Sequence, residues 1–193
     1  MSANSIALDS SGNCYFGGTT AFYEDPACSP TATLASQGFM GLGGLAFDAL
    51  GNVWIGNVTG SPSATEDVYS NTALTNKLFS VTDAYSGPGK AVFDTQGHAY
   101  VPFSGYDGVN PHGGNILEIG VSGNTWSTIQ TLQASEGLIA PFGLAIDAKQ
   151  NLWVANDTNV LEFAAGTLAP VPGSTLTVAA GTMARGVILL PSH

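Results

Sequence analysis

Acidic side chains recur along this chain where loops are expected: Glu24 with Asp25, Glu66 with Asp67, Asp107 alone, and Asp157 beside Asn156. Carboxylate and amide oxygens on loops are hard donors of the kind that Ca²⁺ gathers six to eight at a time. One histidine, His112, stands in the long 103–115 loop beside Pro111, Gly113 and Gly114, and its near-neutral pKa makes it the candidate general base. Two of the four basic residues, Lys90 and Arg185, directly precede apolar runs, where they are candidates for holding an anionic ligand or for pairing with the carboxylates. The sequence contains no D-x-D-x-D-G calcium loop, no Gly-x-Ser-x-Gly elbow and no phosphate-binding loop. The acidic set therefore reads either as a cation site or as a solvated rim that keeps the protein soluble.

The overall balance of charge narrows the partners. Asp and Glu number 14 against 4 Lys and Arg, a formal net charge of −10. That excludes a binder of the nucleic-acid backbone, whose affinity comes from basic residues displacing counterions. With 44% hydrophobic residues, 9% charged residues and 25 glycines, the chain is too apolar for disorder and too rich in turn formers for a helical bundle. An all-β domain is expected. No run of eighteen apolar residues exists to span a membrane as a helix, and Met1–Leu8 lacks the basic and apolar segments of a secretory signal. Low charge, abundant small polar residues and proline-bearing loops point to an exported protein, extracellular or periplasmic. Cys14 and Cys28 are then either a single disulfide or two buried thiols, and export favours the bridge.

Residues able to do chemistry must be held by something, and internal repetition shows what. Ser5–Gly17, Gly44–Gly56, Lys90–Pro102 and Gly143–Ala155 align without gaps as an apolar run, Asp-x-x-Gly-Asn, and an apolar-aromatic-apolar run. Asp9, Asp48, Asp94 and Asp147 mark the units at spacings of 39, 46 and 53 residues, about the length of one four-stranded propeller blade. Short runs rich in Val, Ile, Phe, Trp and Tyr around turn residues indicate two antiparallel strands. These four aspartates are expected to be structural, accepting from turn amides, with Gly12, Gly51 and Gly97 left-handed and Gln150 holding that place in the fourth unit. His98 takes the position of Asn13, Asn52 and Asn151 and is expected to be structural too. Trp54 and Trp153 should be core, and Trp126 should lie on an outer strand. Further strands are expected at 32–35, 77–82, 116–119, 126–132, 160–163 and 174–178, with no helix.

The Gly-Leu-Ala-Phe/Ile-Asp-x-x-x-Asn-x-Trp-Ile/Val pattern at 44–55 and 143–154 resembles NHL-type β-propeller repeats, whose wider relatives include virginiamycin B lyase-like and gluconolactonase-like propellers. The resemblance implies a four-blade propeller with units near 5–43, 44–89, 90–142 and 143–183, and with Arg185–Leu190 as a partial fifth strand. It implies no single activity, because propellers serve as hydrolases, lyases and binding platforms. The resulting expectation is a non-enzymatic binding or self-assembly module without cofactor, with a protein or carbohydrate partner or self-association through the C-terminal strand. Two alternatives are a calcium-dependent lactonase-like hydrolase or lyase using the acidic face with His112, and a fragment or protomer of a larger ring. In such a blade the Asp turn lies on one rim, and the acidic set, Asn156 and His112 are expected on the other.

Overall fold

The computed structural model describes residues 5–29, 33–39, 41–60, 63–105, 113–122, 125–179, 184 and 186. Four antiparallel sheets follow one another along the chain. The first is β1 (Ser5–Leu8), β2 (Cys14–Gly17), β3 (Ala21–Asp25) and β4 (Thr33–Gln37), and the second is β5 (Leu42–Phe47), β6 (Val53–Val58), β7 (Ala64–Tyr69) and β8 (Lys77–Asp83). In the third, β10 (Val92–Phe93), β11 (Ala99–Ser104), β12 (Gly114–Ser122) and β13 (Thr125–Leu132) are joined by a short β9 (Gly87–Pro88) that also pairs with β11. The fourth is β14 (Pro141–Ile146), β15 (Leu152–Asn156), β16 (Asn159–Phe163) and β17 (Leu176–Thr177). Each sheet is an up-and-down meander of four strands in sequence order, the blade of a β-propeller. The described residues contain no α-helix, only 3₁₀ turns at Pro26–Cys28 and Ala134–Glu136.

One aspartate organises each first hairpin in the same way. Its Oδ1 accepts from the amides two and four residues on: Ser11 and Asn13, Leu50 and Asn52, Gln96 and His98, Lys149 and Asn151. Its Oδ2 accepts from the aromatic side chain six residues on, at 3.1–3.2 Å: Tyr15, Trp54, Tyr100 and Trp153. The turn needs a left-handed residue three after the aspartate, and φ is +84° at Gly12, +81° at Gly51, +87° at Gly97 and +69° at Gln150. Gln150 bears that conformation with a Cβ, and its Oε1 accepts from the Thr95 amide of the neighbouring turn at 2.8 Å.

Strand alternation then sends successive side chains to opposite faces of each blade. The aromatic residue held by the aspartate faces the following blade, and the residues on either side of it face the preceding one. Three apolar cores result. Ala7, Tyr15 and Phe22 meet Leu45, Val53 and Ile55 between the first and second blades. Ala46, Trp54 and Val68 meet Ala91, Ala99 and Val101 between the second and third. Tyr100, Ile116 and Leu132 meet Leu144, Leu152 and Val154 between the third and fourth. Near the centre the backbones approach closely: a Cβ on Gly44 would strike the Gly89 carbonyl, so only glycine permits this contact.

Gln150 allows a test of the turn. Gln150→Ala removes the acceptor for Thr95 but keeps the strained φ, whereas Gln150→Gly removes both the acceptor and the strain. The Gly variant should be more stable than the Ala variant by about 1 kcal/mol in urea denaturation, against the usual preference for alanine. Equal stabilities, or a more stable Ala variant, would contradict a left-handed site at this position.

Candidate functional site

The acidic residues do not gather on one rim. Glu24 and Asp25 are part of β3, not of a loop, and stand opposite Tyr15 and Cys14 at the end beside the Asp9 turn. They sit on the turn rim because β3 runs antiparallel to β2, which brings its last residues back to the turn. Glu24 Oε1 accepts from the Tyr15 hydroxyl at 3.2 Å, and Asp25 Oδ1 accepts from Ser29 Oγ at 2.9 Å. Glu66 and Asp67 lie inside β7, not in a loop, opposite Gly56 and Ile55. Asp67 accepts from Ser80 Oγ at 2.6 Å and pairs with Lys77 Nζ at 3.0 Å. Asp157 closes a backbone bridge to Ala184 on the rim away from the Asp turns. Among the described residues no group of three or more His, Cys, Asp or Glu is arranged to hold a metal ion. Asp107, His112 and Arg185 lie outside the described residues, as do Val187–Leu190 of the expected closing strand.

Glu66 is the electrostatic anomaly. It is 1% exposed, and its Oε2 has no hydrogen-bond partner among the described residues. In the other units the same register position holds Phe22, Ile116 and Val160. Burial, with the neighbouring Asp67 charge adding to it, pushes the Glu66 carboxyl well above the usual carboxylate range. Asn156, by contrast, is a buried polar group with every bond satisfied. Its Oδ1 accepts from the Ile139 and Ala140 amides at 2.7 and 3.1 Å, and its Nδ2 donates to the Gly137 carbonyl and to Asn159 Oδ1. It pins the crossover from the third blade to the fourth. Lys90 Nζ donates to the Ile6 carbonyl at 3.3 Å, joining the start of the third blade to the first strand.

The turn rim carries a second set of polar contacts. Tyr15 and Tyr100 each donate toward two carboxylates, Asp9 and Glu24 in one blade and Asp94 and Glu118 in the other. Burial, then the charges of Glu24 and Asp9, push the Tyr15 hydroxyl up to about 12. Burial alone would raise the Asp147 carboxyl, but hydrogen bonds from Trp153, Asn151 and Lys149 together hold it below its ordinary value. His98 Nδ1 sits 3.3 Å from Asp94 Oδ2 and 3.1 Å from Glu118 Oε1, where Asn13 and Asn52 use their amides. Trp54 is buried against Phe93 at a steep interplanar angle of 71°, Trp153 is half-buried, and Trp126 stacks on Phe79 on the outer strands. Cys14 and Cys28 form a disulfide with Cα atoms 4.9 Å apart, tying β2 to the segment after β3.

Three concavities mark the described surface. One of about 470 Å³ lies between the second and third Asp turns, with Leu50, Phe93, Val121 and Trp126 in its wall. One of about 400 Å³ on the opposite rim is lined by Tyr85, Asn115, Gln133 and Ser135, next to Asp83, which accepts from the Tyr85 amide and from Asn115 Nδ2. The third, about 630 Å³, is formed by Ile6, Leu8, Cys14, Cys28 and Lys90 on the free side of the first blade. Asp83, Asn115 and Gln133 were not foreseen, because they fall at or just beyond strand ends outside the aligned repeat segments. The Tyr100–Glu118 pair had a visible signal in the Leu-Glu-Ile run of the third strand.

Replacing Glu66 tests its isolation. Its folded pKa lies above its unfolded one, so its contribution is fully present below about pH 4.5 and is lost as pH rises. Glu66→Met should raise stability at pH 7 by about 1–3 kcal/mol, with the gain shrinking as pH falls to 4. A variant less stable than the parent at pH 7 would show that the carboxylate has a partner in solution.

No family model matches the chain, and no curated protein matches it. Solved structures do. A gluconolactonase from Xanthomonas campestris superposes with a TM-score of 0.67 at 13% identity, over 95% of this chain and 65% of its own. The β-propeller domain of Cps50 (Swd1) from Myceliophteria thermophila gives 0.61 at 10% identity, over 86% and 55%. PorZ, a bacterial surface component of the type-IX secretion system of Porphyromonas gingivalis, gives 0.62 at 14% identity, over 91% and 28%. The chain spans less than two thirds of the length of each of these structures, and at such identities the likeness is one of fold. Four consecutive four-stranded meanders, packed blade on blade and matched along nearly their whole length by propellers, make this chain a β-propeller protein.

Proposed function

We propose that the chain is a non-enzymatic binding and assembly module of the NHL-like propeller kind, working outside the cytoplasm. One observation carries this reading. Most of the described carboxylates proposed as ligands are engaged in holding the fold together, whereas the side of the first blade away from the second presents exposed apolar side chains on which no described strand packs extensively. Glu24, Asp25 and Asp67 accept hydrogen bonds from neighbouring strands or loops, and Glu66 is sealed between blades. Ile6 and Leu8 are 52% and 61% exposed on the inner strand, a place where propellers are normally dry. The Cys14–Cys28 bridge fits an oxidising compartment. Protein is the favoured partner over carbohydrate, because the most exposed large side chains of that face, Ile6, Leu8 and Leu34, are aliphatic.

The competing reading is a calcium-dependent hydrolase or lyase, which the fold shared with a gluconolactonase keeps in view. Calcium titration of the parent, Asp107→Asn and Asp157→Asn proteins, together with a lactone-hydrolysis assay, separates the two. Weak binding that neither substitution changes, without turnover, is the expected result. Tight binding lost on either substitution, accompanied by calcium-dependent turnover, would overturn the proposal.

A further inference from the structure

Every blade contact in this fold joins two faces of fixed kind. The trailing face presents the aspartate-held aromatic, and the leading face of the next blade presents the residues flanking its own aromatic together with the position three before its aspartate. Three such contacts exist among the described residues, and no described strand packs extensively on the leading face of the first blade or on the trailing face of the fourth. The exposures identify them. The position three before the aspartate is 0% exposed at Leu45, 3% at Ala91 and 9% at Leu144, yet 52% at Ile6. On the trailing side, Phe22, Glu66 and Ile116 are essentially inaccessible, whereas Val160 at the same register is half-buried. None of the element pairs in extensive contact joins the first sheet to the fourth.

The free leading face is apolar across the whole blade. Ile6 stands opposite Phe16, Phe16 opposite Tyr23, and Tyr23 opposite Leu34, so one row crosses all four strands on the side away from the second blade. Leu34, at the outer edge, is 52% exposed. The trailing face of the fourth blade carries the corresponding row, in which Ala155 is fully buried, Val160 half-buried and Leu176 57% exposed, with the half-buried Trp153 beside it. Each is the half that the other kind of face packs against inside the chain.

We infer that the partner of the leading face is the trailing face of a second copy of this chain, so that two copies join head to tail into one ring of eight blades. This rests on the binding and assembly reading and names its partner. A face built to receive a trailing row of small and aliphatic residues beside a tryptophan is supplied with one by an identical chain. Two identical head-to-tail contacts related by a two-fold axis along the channel close the assembly, leaving no free sheet face to propagate. Eight blades lies within the range that propellers adopt.

Sedimentation equilibrium on residues 1–193, with the disulfide intact, tests this. The parent should show twice its 19.6 kDa mass at micromolar concentration. Ile6→Lys and Val160→Lys should each halve the mass while leaving the folded circular dichroism spectrum unchanged. Leu50→Lys, at an 80% exposed position on the turn rim, should leave the mass unaltered. Mixing the two monomeric variants should restore a dimer, because one junction then has two unaltered faces. A monomeric parent overturns the inference, as does a dimer broken by Ile6→Lys but not by Val160→Lys. Loss of the dimer only on deleting residues 187–193 overturns it too, and identifies that segment as the occupant. None of these results touches the calcium and turnover experiment, so the binding reading stands or falls separately.

Discussion

In every blade one aspartate carboxylate accepts at least three hydrogen bonds at once, two from amides of the turn it opens and one from an aromatic side chain six residues on. Those bonds do two things that would otherwise be independent. They close the first hairpin at its tightest point, and they fix the direction of the large ring that fills the contact with the next blade. A buried Tyr or Trp needs a partner for its polar tip, and the turn supplies it without any polar atom entering the apolar layer. Local turn chemistry and long-range packing therefore stand or fall together. Removing the carboxylate would leave two turn amides without an acceptor, and in the second and fourth blades an indole as well.

The second constraint lies at the middle of the molecule. Blade-to-blade contact there is backbone against backbone, with Gly44 facing the Gly89 carbonyl and the Lys90 ammonium reaching Ile6. The apolar layers thicken outward from that line, from Ala46 on an inner strand to Trp54 on a second strand and Phe79 on an outer one. Glu66 interrupts one of these layers. Its site is a position that Phe22 and Ile116 fill with hydrocarbon, and Glu66 Oε2 has no hydrogen-bond partner among the described residues.

Much of this architecture could be read from the chain. The four aspartates, their left-handed partners and the strands flanking them repeat without gaps, and a two-residue strand period leaves little freedom in which side chain faces which blade. Gln150 could be placed in a strained turn from its alignment with three glycines. The site was far less legible. Glu24 and Asp25 look like loop residues because a polar pair follows an aromatic one, yet β3 continues through them, stabilised by pairing with β2. Glu66 and Asp67 were misplaced for the same reason: the ladder between β6 and β7 overrides the polarity of the pair. Asn156 acts through amides of a connection nearly twenty residues earlier, and no local pattern announces a bond of that kind.

The stacking also implies a gradient of cooperativity along the chain. Each blade is stabilised mainly by its immediate neighbours, so within one chain the two middle blades are clamped on both sides and the outer two on one. Transient opening should therefore begin at the ends, with amide hydrogens of β5–β13 exchanging through the rarest fluctuations and those of β1–β4 and β14–β17 through commoner ones. The disulfide lies in the first of the two singly supported blades, binding β2 to the segment after β3. A covalent link so placed limits how far that blade can fray, and leaves the fourth, which has no such link among the described residues, as the natural starting point for unfolding.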